Sequence, residues 1–323
     1  MSEDRAEDQG GQHIISLLPS ATEILFALGL GDAVCAVTHE CDFPAAALRK
    51  PHITRSLLAP NLSSGEIDAA VRAQLVADAH SLYTIDRALL AEIAPTLIVT
   101  QRLCEVCAVA YDEVLEAVRS LPMRPAVINL EPERLDDVLA DIVRVGAATG
   151  RQAAAATLLA DLRGRIAAVR ERVARATSRP RVAFIEWIDP IFCGGHWNPE
   201  LIALAGGEDS IGRVGERSQQ VEWSQVTAYQ PEVMVIAACG FTEERSRQDE
   251  PLLRAYPGFA DLPCAHAGRV HFVDGAAYFS RPGPRLVESL ELLARLIHPE
   301  LFARGAHGDA SALTPDLSAI DHT

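Results

Sequence analysis

Aromatic residues make up only 5% of this 323-residue chain. Few flat side chains are available to stack on a ligand, so the position of each one matters. The chain is also short of positive charge. Its formal net charge of −15 argues against nucleic acid, whose phosphates need clustered Lys and Arg. It argues equally against an anionic membrane surface, and fits solubility. No apolar run reaches the ~18 residues that span a bilayer. The opening Met1-Ser2-Glu3-Asp4-Arg5-Ala6-Glu7-Asp8 is acidic and polar. A secretory signal needs a basic start and an unbroken apolar stretch of ~7–15 residues. The first apolar run, 14–18, is interrupted by Ser16 and followed by Pro19. A cytoplasmic location is expected. In that reducing compartment seven cysteines are thiols, metal ligands or redox groups rather than a disulfide framework. Enzyme motifs are missing too: there is no Gly-x-x-x-x-Gly-Lys, no Gly-x-Ser-x-Gly and no His-Glu-x-x-His.

What the chain does have is 49% hydrophobic residues, enough for two cores of ordinary domain size. Short apolar runs read as strands at 14–18, 33–37, 96–100, 126–128, 181–186 and 233–237, alternating with helical periodicity. Ser20 reads as a helix cap with Glu23 as its reciprocal partner, and Gly29 as the stop. From 131 to 176 the pattern is helical, too long for one globular helix, with a break near Gly150. After Pro180 the alternation resumes and echoes the first half: Ile93-Ala94-Pro95-Thr96-Leu97-Ile98-Val99 resembles Tyr229-Gln230-Pro231-Glu232-Val233-Met234-Val235. The expected fold is α/β, two Rossmann-like lobes joined by a long rigid connecting helix, with a ligand cleft between them. The boundaries are a disordered tail at 1–12, an N-terminal lobe at 13–130, a helical connector at 131–178, a C-terminal lobe at 179–302 and a disordered tail at 303–323.

Reactive side chains gather just past the strand-like runs, where open α/β sheets bind ligands. His39 and Cys41 follow one run and Cys104 and Cys107 the next, two strands expected to be neighbours in the first lobe; Trp187, His196 and Trp197 follow a third, and Cys239 a fourth. Asn198 and Pro199 read as the cap and first position of a helix aimed at the cleft. Trp197 serves equally well as an apolar-face residue. Tyr278, Phe279 and Arg281 form a rim near the last strand. Arg281 suits either a ligand carboxylate or phosphate or an acidic neighbour.

The stretch Ile15-Ser16-Leu17-Leu18-Pro19-Ser20-Ala21-Thr22-Glu23 resembles the start of the periplasmic iron-chelate and vitamin B12 binding proteins of ABC importers. The likeness continues through the Pro95 segment, Val221-Glu222-Trp223-Ser224-Gln225-Val226 and Arg281-Pro282-Gly283-Pro284-Arg285-Leu286-Val287, over roughly 13–300. It is nearest to the cobalamin-binding branch, here in a cytoplasmic, signal-less form. The resemblance implies little lobe closure and a ligand-facing Trp223 packed on a corrin ring. The alternative is that Trp223 staples its helix to the lobe. It also places permease-contacting glutamates near Ala88 and Tyr229, neither acidic, with Glu92 or Glu232 as substitutes. Permease docking is in doubt.

His39, Cys41, Cys104, Cys107 and Cys239 are extra to that pattern. They suit zinc, iron–sulfur iron or cobalt, a redox pair, or inert packing. The leading reading is non-catalytic binding of a corrinoid (cobalamin-like) or related metal chelate. The ligand-binding candidates are Ser20, Trp187, His196, Trp197, Trp223, Tyr278, Phe279 and Arg281. A metal- or redox-dependent enzyme on the same scaffold is the alternative. Iron-siderophore binding ranks lower, since an anionic chelate calls for Arg-rich walls.

Overall fold

Alternating burial on both faces of short parallel strands governs each half of the chain. A computed structural model describes residues 11–59, 62–76, 82–102 and 111–302. In the first half, β1 (Ile14–Ser16), α1 (Pro19–Ala27) and β2 (Val34–Ala36) lead to an antiparallel ribbon. The ribbon pairs β3 (Thr54–Ser56) with β4 (Tyr83–Ile85), and α2 (Ser64–Val76) lies between them in sequence. Then come α3 (Arg87–Ile93), β5 (Leu97–Thr100), α4 (Tyr111–Arg119) and β6 (Ala126–Asn129). The sheet is parallel, in the order β2-β1-β5-β6. Ile14, Leu97 and Val99 face one core with α1, and Ile15, Ile98 and Ala36 face the other with Leu90 and Val114. A strand covered on both faces reads as a continuous apolar run, which is why these segments were visible in the sequence.

Two helices, α5 (Leu135–Ala148) and α6 (Gln152–Val173), join the halves. Gly150 breaks the helical run at φ +69°, a conformation that costs glycine little. At 22 residues, α6 is about 33 Å long. Its Leu159 and Leu162 enter the first lobe's core, and Val169 enters the second's.

The second half runs β7 (Val182–Trp187), β8 (Phe192–Cys193), α7 (Asn198–Leu204), β9 (Gln219–Gln220), α8 (Trp223–Tyr229) and β10 (Val233–Ile236). It continues with α9 (Glu243–Arg247), α10 (Glu250–Ala255), α11 (Pro263–His266), β11 (Val270–Phe272), α12 (Gly275–Tyr278), α13 (Leu286–Ile297) and α14 (Pro299–Phe302). The sheet order is β11-β10-β7-β8-β9, parallel through β7 and antiparallel at β8 and β9. The protein is thus an α/β fold of two lobes, as expected. Both tails fall outside the described residues, apart from Gly11 and Gln12.

Four expectations need correction. Ser20 does not cap α1, because Pro19 already occupies the first helical turn and the cap position falls on Leu18. Glu23 is drawn elsewhere: its carboxylate takes a bidentate pair from Arg285 at 2.6 and 3.1 Å. Asn198 is likewise no cap; Trp197 holds that position and the Asn198 amide donates to Glu186. The strands preceding His39 and Cys104 are not neighbours, since β1 lies between β2 and β5. Two strand spacings are about 10 Å, too far for one metal to bridge without long loops.

The lobes are tied by buried charge. Arg281 pairs with Asp42 through both guanidinium nitrogens and donates to the Glu40 carbonyl at 3.0 Å. Arg285 pairs with Glu23 and lies 4.1 Å from the Phe43 ring centroid. Arg165 of α6 makes a bidentate pair with Glu291 of α13, both bonds 2.9 Å. Removing one partner of a buried pair strands the other charge, at a typical cost of about 3–5 kcal/mol. Glu23→Ala should therefore lower unfolding free energy in urea by that order, while Glu23→Met combined with Arg285→Met should lose much less. A Glu23→Ala loss below about 1 kcal/mol would show that the pair holds nothing together.

Candidate functional site

The carboxyl ends of β5 and β6 bring Arg102, Glu131 and Glu133 to the interlobe face. The 131–134 turn is fixed locally, because Asp137 accepts from the Glu133 and Arg134 amides at 3.1 and 2.9 Å. Across the gap, the turn after β8 presents His196, and the segment before β9 presents Arg217. These five residues line a pocket of about 360 Å³. That volume is within the range of small-molecule sites.

His196 is held in an unusual backbone conformation, with φ +49°. Its amide donates to the Glu216 carbonyl at 2.6 Å, and its carbonyl accepts from the Gly215 amide at 2.9 Å. The imidazole Nε2 is buried and has no hydrogen-bond partner among the described residues. Burial, reinforced by the positive charge of Arg217, pushes the imidazole below its ordinary pKa, so it is neutral near pH 7. The pocket lining therefore combines two guanidinium groups, two carboxylates and an imidazole. It can donate to and accept from a polar ligand periphery, and it carries no strong net field for a polyanion.

The α2 region also reaches over to the second lobe. The Trp187 indole donates to the Ser64 carbonyl at 3.2 Å, and Arg245 donates to the Leu62 carbonyl at 2.9 Å. Arg72 donates to Gln220 of β9 at 2.9 Å. Trp187 and Arg245 both pack on Phe241, with ring or guanidinium distances of 4.9 and 4.2 Å.

The sequence profile described as "Periplasmic binding protein" matches residues 14–277. The chain belongs to that family. The vitamin B12-binding protein of Vibrio cholerae serotype O1 is 24% identical over 283 residues, 87% of each chain. Among solved structures, the periplasmic heme-binding protein RhuT from Roseiflexus sp. RS-1 in apo form superposes with TM-score 0.67 at 22% identity. That match covers 90% of this chain and 100% of RhuT. The periplasmic vitamin B12 binding protein BtuF of Vibrio cholerae gives TM-score 0.65 at 22% identity, covering 88% and 96%. These relatives are binding proteins, not enzymes.

In this periplasmic binding protein the expected ligand residues scatter. His196 lines the pocket and Trp187 sits at the lobe junction. Trp197 is 4% exposed, donates its indole to the Phe279 carbonyl at 3.0 Å and belongs to the second lobe's core. Phe279, 1% exposed, packs edge-on against Phe184 at 5.1 Å. Both are core residues rather than cleft walls. Tyr278 packs beside them, and its carbonyl accepts from Ser289. Ser20 is buried in the first turn of α1, and the acidic neighbour claims Arg281. Trp223 stacks on Tyr256 at 4.7 Å and donates to the Pro257 carbonyl at 2.8 Å, the geometry of a helix staple. Ala88 lies within α3 and Tyr229 ends α8, while Glu232 is held by Arg181 at 3.5 Å.

The expected metal residues that the structure describes, His39, Cys41 and Cys239, do not converge on one another. Cys104 and Cys107 lie outside the described residues. Cys41 is buried, its sulfur 3.1 and 3.2 Å from the Thr22 and Thr38 hydroxyls, and burial pushes its thiol pKa up. His39 bonds Thr54 through Nδ1 at 2.7 Å, with Glu40 3.3 Å from Nε2. Cys239 is partly exposed beside Gly240. Among the described residues, no group of three His, Cys, Asp or Glu converges to hold a metal ion. The residues that sequence reasoning missed are Arg102, Glu131, Glu133 and Arg217; the first three follow strands directly, which was the available signal.

Two tests follow. Burial raises the thiol pKa of Cys41, Cys193 and Cys264, whereas Cys35 and Cys239 are accessible. Maleimide labelling of the native protein at pH 7, mapped by mass spectrometry, should modify Cys35 and Cys239 well before the other three. Equal rates at Cys41 and Cys239 would contradict the packing described. The second test concerns Asp209, which accepts from the Ile211 and Gly212 amides at 3.0 and 2.8 Å beneath the Arg217 loop. Burial lifts its pKa from 3.8 to about 6. The folded state then binds the proton more tightly than the unfolded chain, so stability falls as pH rises from about 4 to 6. Asp209→Asn should remove up to ~3 kcal/mol of that fall, read as urea midpoints across the range. Parallel curves for the variant and the parent protein would rule out this titration.

Proposed function

We propose that this chain binds a metal chelate of the cobalamin or heme class between its lobes and leaves it chemically unchanged. The observation that carries this reading is the interlobe pocket lined by Arg102, Glu131 and Glu133 from the first lobe and by His196 and Arg217 from the second. Family membership supports it, as do relatives named for vitamin B12 and heme. Guanidinium and carboxylate groups together suit a periphery that both donates and accepts, as the amides of a corrinoid do. Arg102 and Arg217 could instead meet the two carboxylates of a heme, which makes heme the second reading. A highly anionic iron-siderophore fits less well against Glu131 and Glu133. A cytoplasmic location remains part of the proposal, and fractionation of the source cells decides it.

Titration with cyanocobalamin, dicyanocobinamide and ferric heme, followed by absorbance and calorimetry, tests the reading. At least one should give a saturable signal at ~100 μM, where even sites worth about 6 kcal/mol are substantially occupied. Arg102→Ala and Arg217→Ala should each weaken it by roughly tenfold, the scale of one charge-assisted hydrogen bond. No signal from any of the three chelates would overturn the proposal.

A further inference from the structure

We infer that Glu186 is the positioning residue of the pocket: it clamps the two loops that carry His196 and Arg217 into one preformed wall. The inference rests on the binding reading above for its functional consequence, and on geometry alone for the clamp. Glu186 ends β7, the strand that pairs with β8 and so stands directly behind the His196 turn. Its Oε1 accepts from the Gly195 amide at 3.1 Å and from the Asn198 side-chain amide at 2.8 Å. These contacts bracket His196 on both sides. Its Oε2 accepts from the Ser218 hydroxyl, one residue beyond Arg217. One carboxylate thus grips both loops, each through its own oxygen.

The loops are also pressed against one another. A Cβ at Gly195 would collide with the Ser218 amide and the Glu216 carbonyl, so only glycine lets the strands of chain approach this closely. The His196 amide and carbonyl complete the contact, bonding Glu216 and Gly215. Holding a non-glycine residue at φ +49° is unfavourable on its own and persists only where neighbours over-determine it. Glu186, Asn198, Ser218 and the Glu216 carbonyl supply that determination. Glu186 itself does not line the pocket, and acts through the residues that do.

The experiment compares Glu186→Ala, Glu186→Gln and Ser218→Ala, each alone and the first also combined with His196→Ala. Glutamine keeps an acceptor for Gly195 and Asn198 and offers Ser218 a donor, so it should stay within about threefold of the parent protein. Alanine should weaken chelate binding roughly tenfold or more with circular dichroism unchanged, and Ser218→Ala should show a smaller loss even if the alanine variant folds poorly. Because Glu186 acts through both His196 and the Arg217 loop, the loss in the double variant should fall short of the sum of the two single losses; fully additive losses would overturn the inference. A second readout needs no ligand. In protein labelled at histidine and glycine, the His196 ring and Gly195 amide resonances should move or broaden in Glu186→Ala and Ser218→Ala but not in Glu186→Gln. Unmoved resonances in both would overturn the clamp. If the parent protein binds none of cyanocobalamin, dicyanocobinamide or ferric heme, the binding reading falls, and the resonances still decide the clamp.

Discussion

The lobes of this protein meet through a charge cluster that neither could tolerate alone. Glu23 is 4% exposed at the start of α1, and burial pushes its carboxyl above the ordinary range against the pull of Arg285 and Arg281. Both arginines belong to the other lobe, on the segment that leads into α13, where Arg281 also takes Asp42. Desolvated charges of this kind contribute little net stability compared with well-packed apolar groups, but they penalise every arrangement that separates them. They therefore specify how the lobes sit. Glu291 of α13 pairs with Arg165, which ties the second lobe to α6 of the connector. The pocket lies by β6, β8 and β9, between residues of both lobes.

Much of the architecture was legible because its signals are local. Continuous apolar runs at 14–18, 96–100 and 233–237 mark strands buried on two faces, and Gly150 marks the break between α5 and α6. The misses have non-local causes. Ser20 and Glu23 have capping-box spacing, but Pro19 starts the helix earlier and an arginine 262 positions away takes the glutamate. The ribbon of β3 and β4 and the short strands β8 and β9 have two or three residues each, too few to show alternation. Adjacency of strands is invisible to periodicity, which is why His39 and the Cys104 segment were expected to meet although β1 lies between their strands.

The site was only partly legible. The rule that ligands gather at strand ends located His196, yet attention to chemically distinctive side chains drew the expectation toward thiols and indoles. Trp197 and Trp223 follow a more common use of indole: apolar area packed against a lobe's core, buried for Trp197 and partly buried for Trp223, with its one N–H satisfied by a carbonyl, Phe279 for the first and Pro257 for the second. Cys41 behaves as a small buried hydrophobe with two hydroxyl neighbours. Arg102, Glu131, Glu133 and Arg217 look in sequence like any solvated charges in a chain with 44 acidic residues. Only the approach of two lobes gives them a shared purpose.

The two walls of the pocket are built differently, and the difference bears on how recognition is achieved. Arg102 and the glutamates stand on turns just past strand ends, with Asp137 the local anchor of the 131–134 turn. His196 and the Arg217 loop are backed by a strand, a glutamate with three hydrogen bonds and a glycine contact that admits no side chain. Binding costs about 0.5–1.5 kcal/mol for each rotamer-rich side chain that must be immobilised. A wall whose loops are already ordered avoids part of that cost. The long side chains of Arg102, Glu131 and Glu133 are exposed and retain the freedom to adapt. Selectivity for the shape of a ligand then belongs mainly to the second lobe, and accommodation of its periphery to the first.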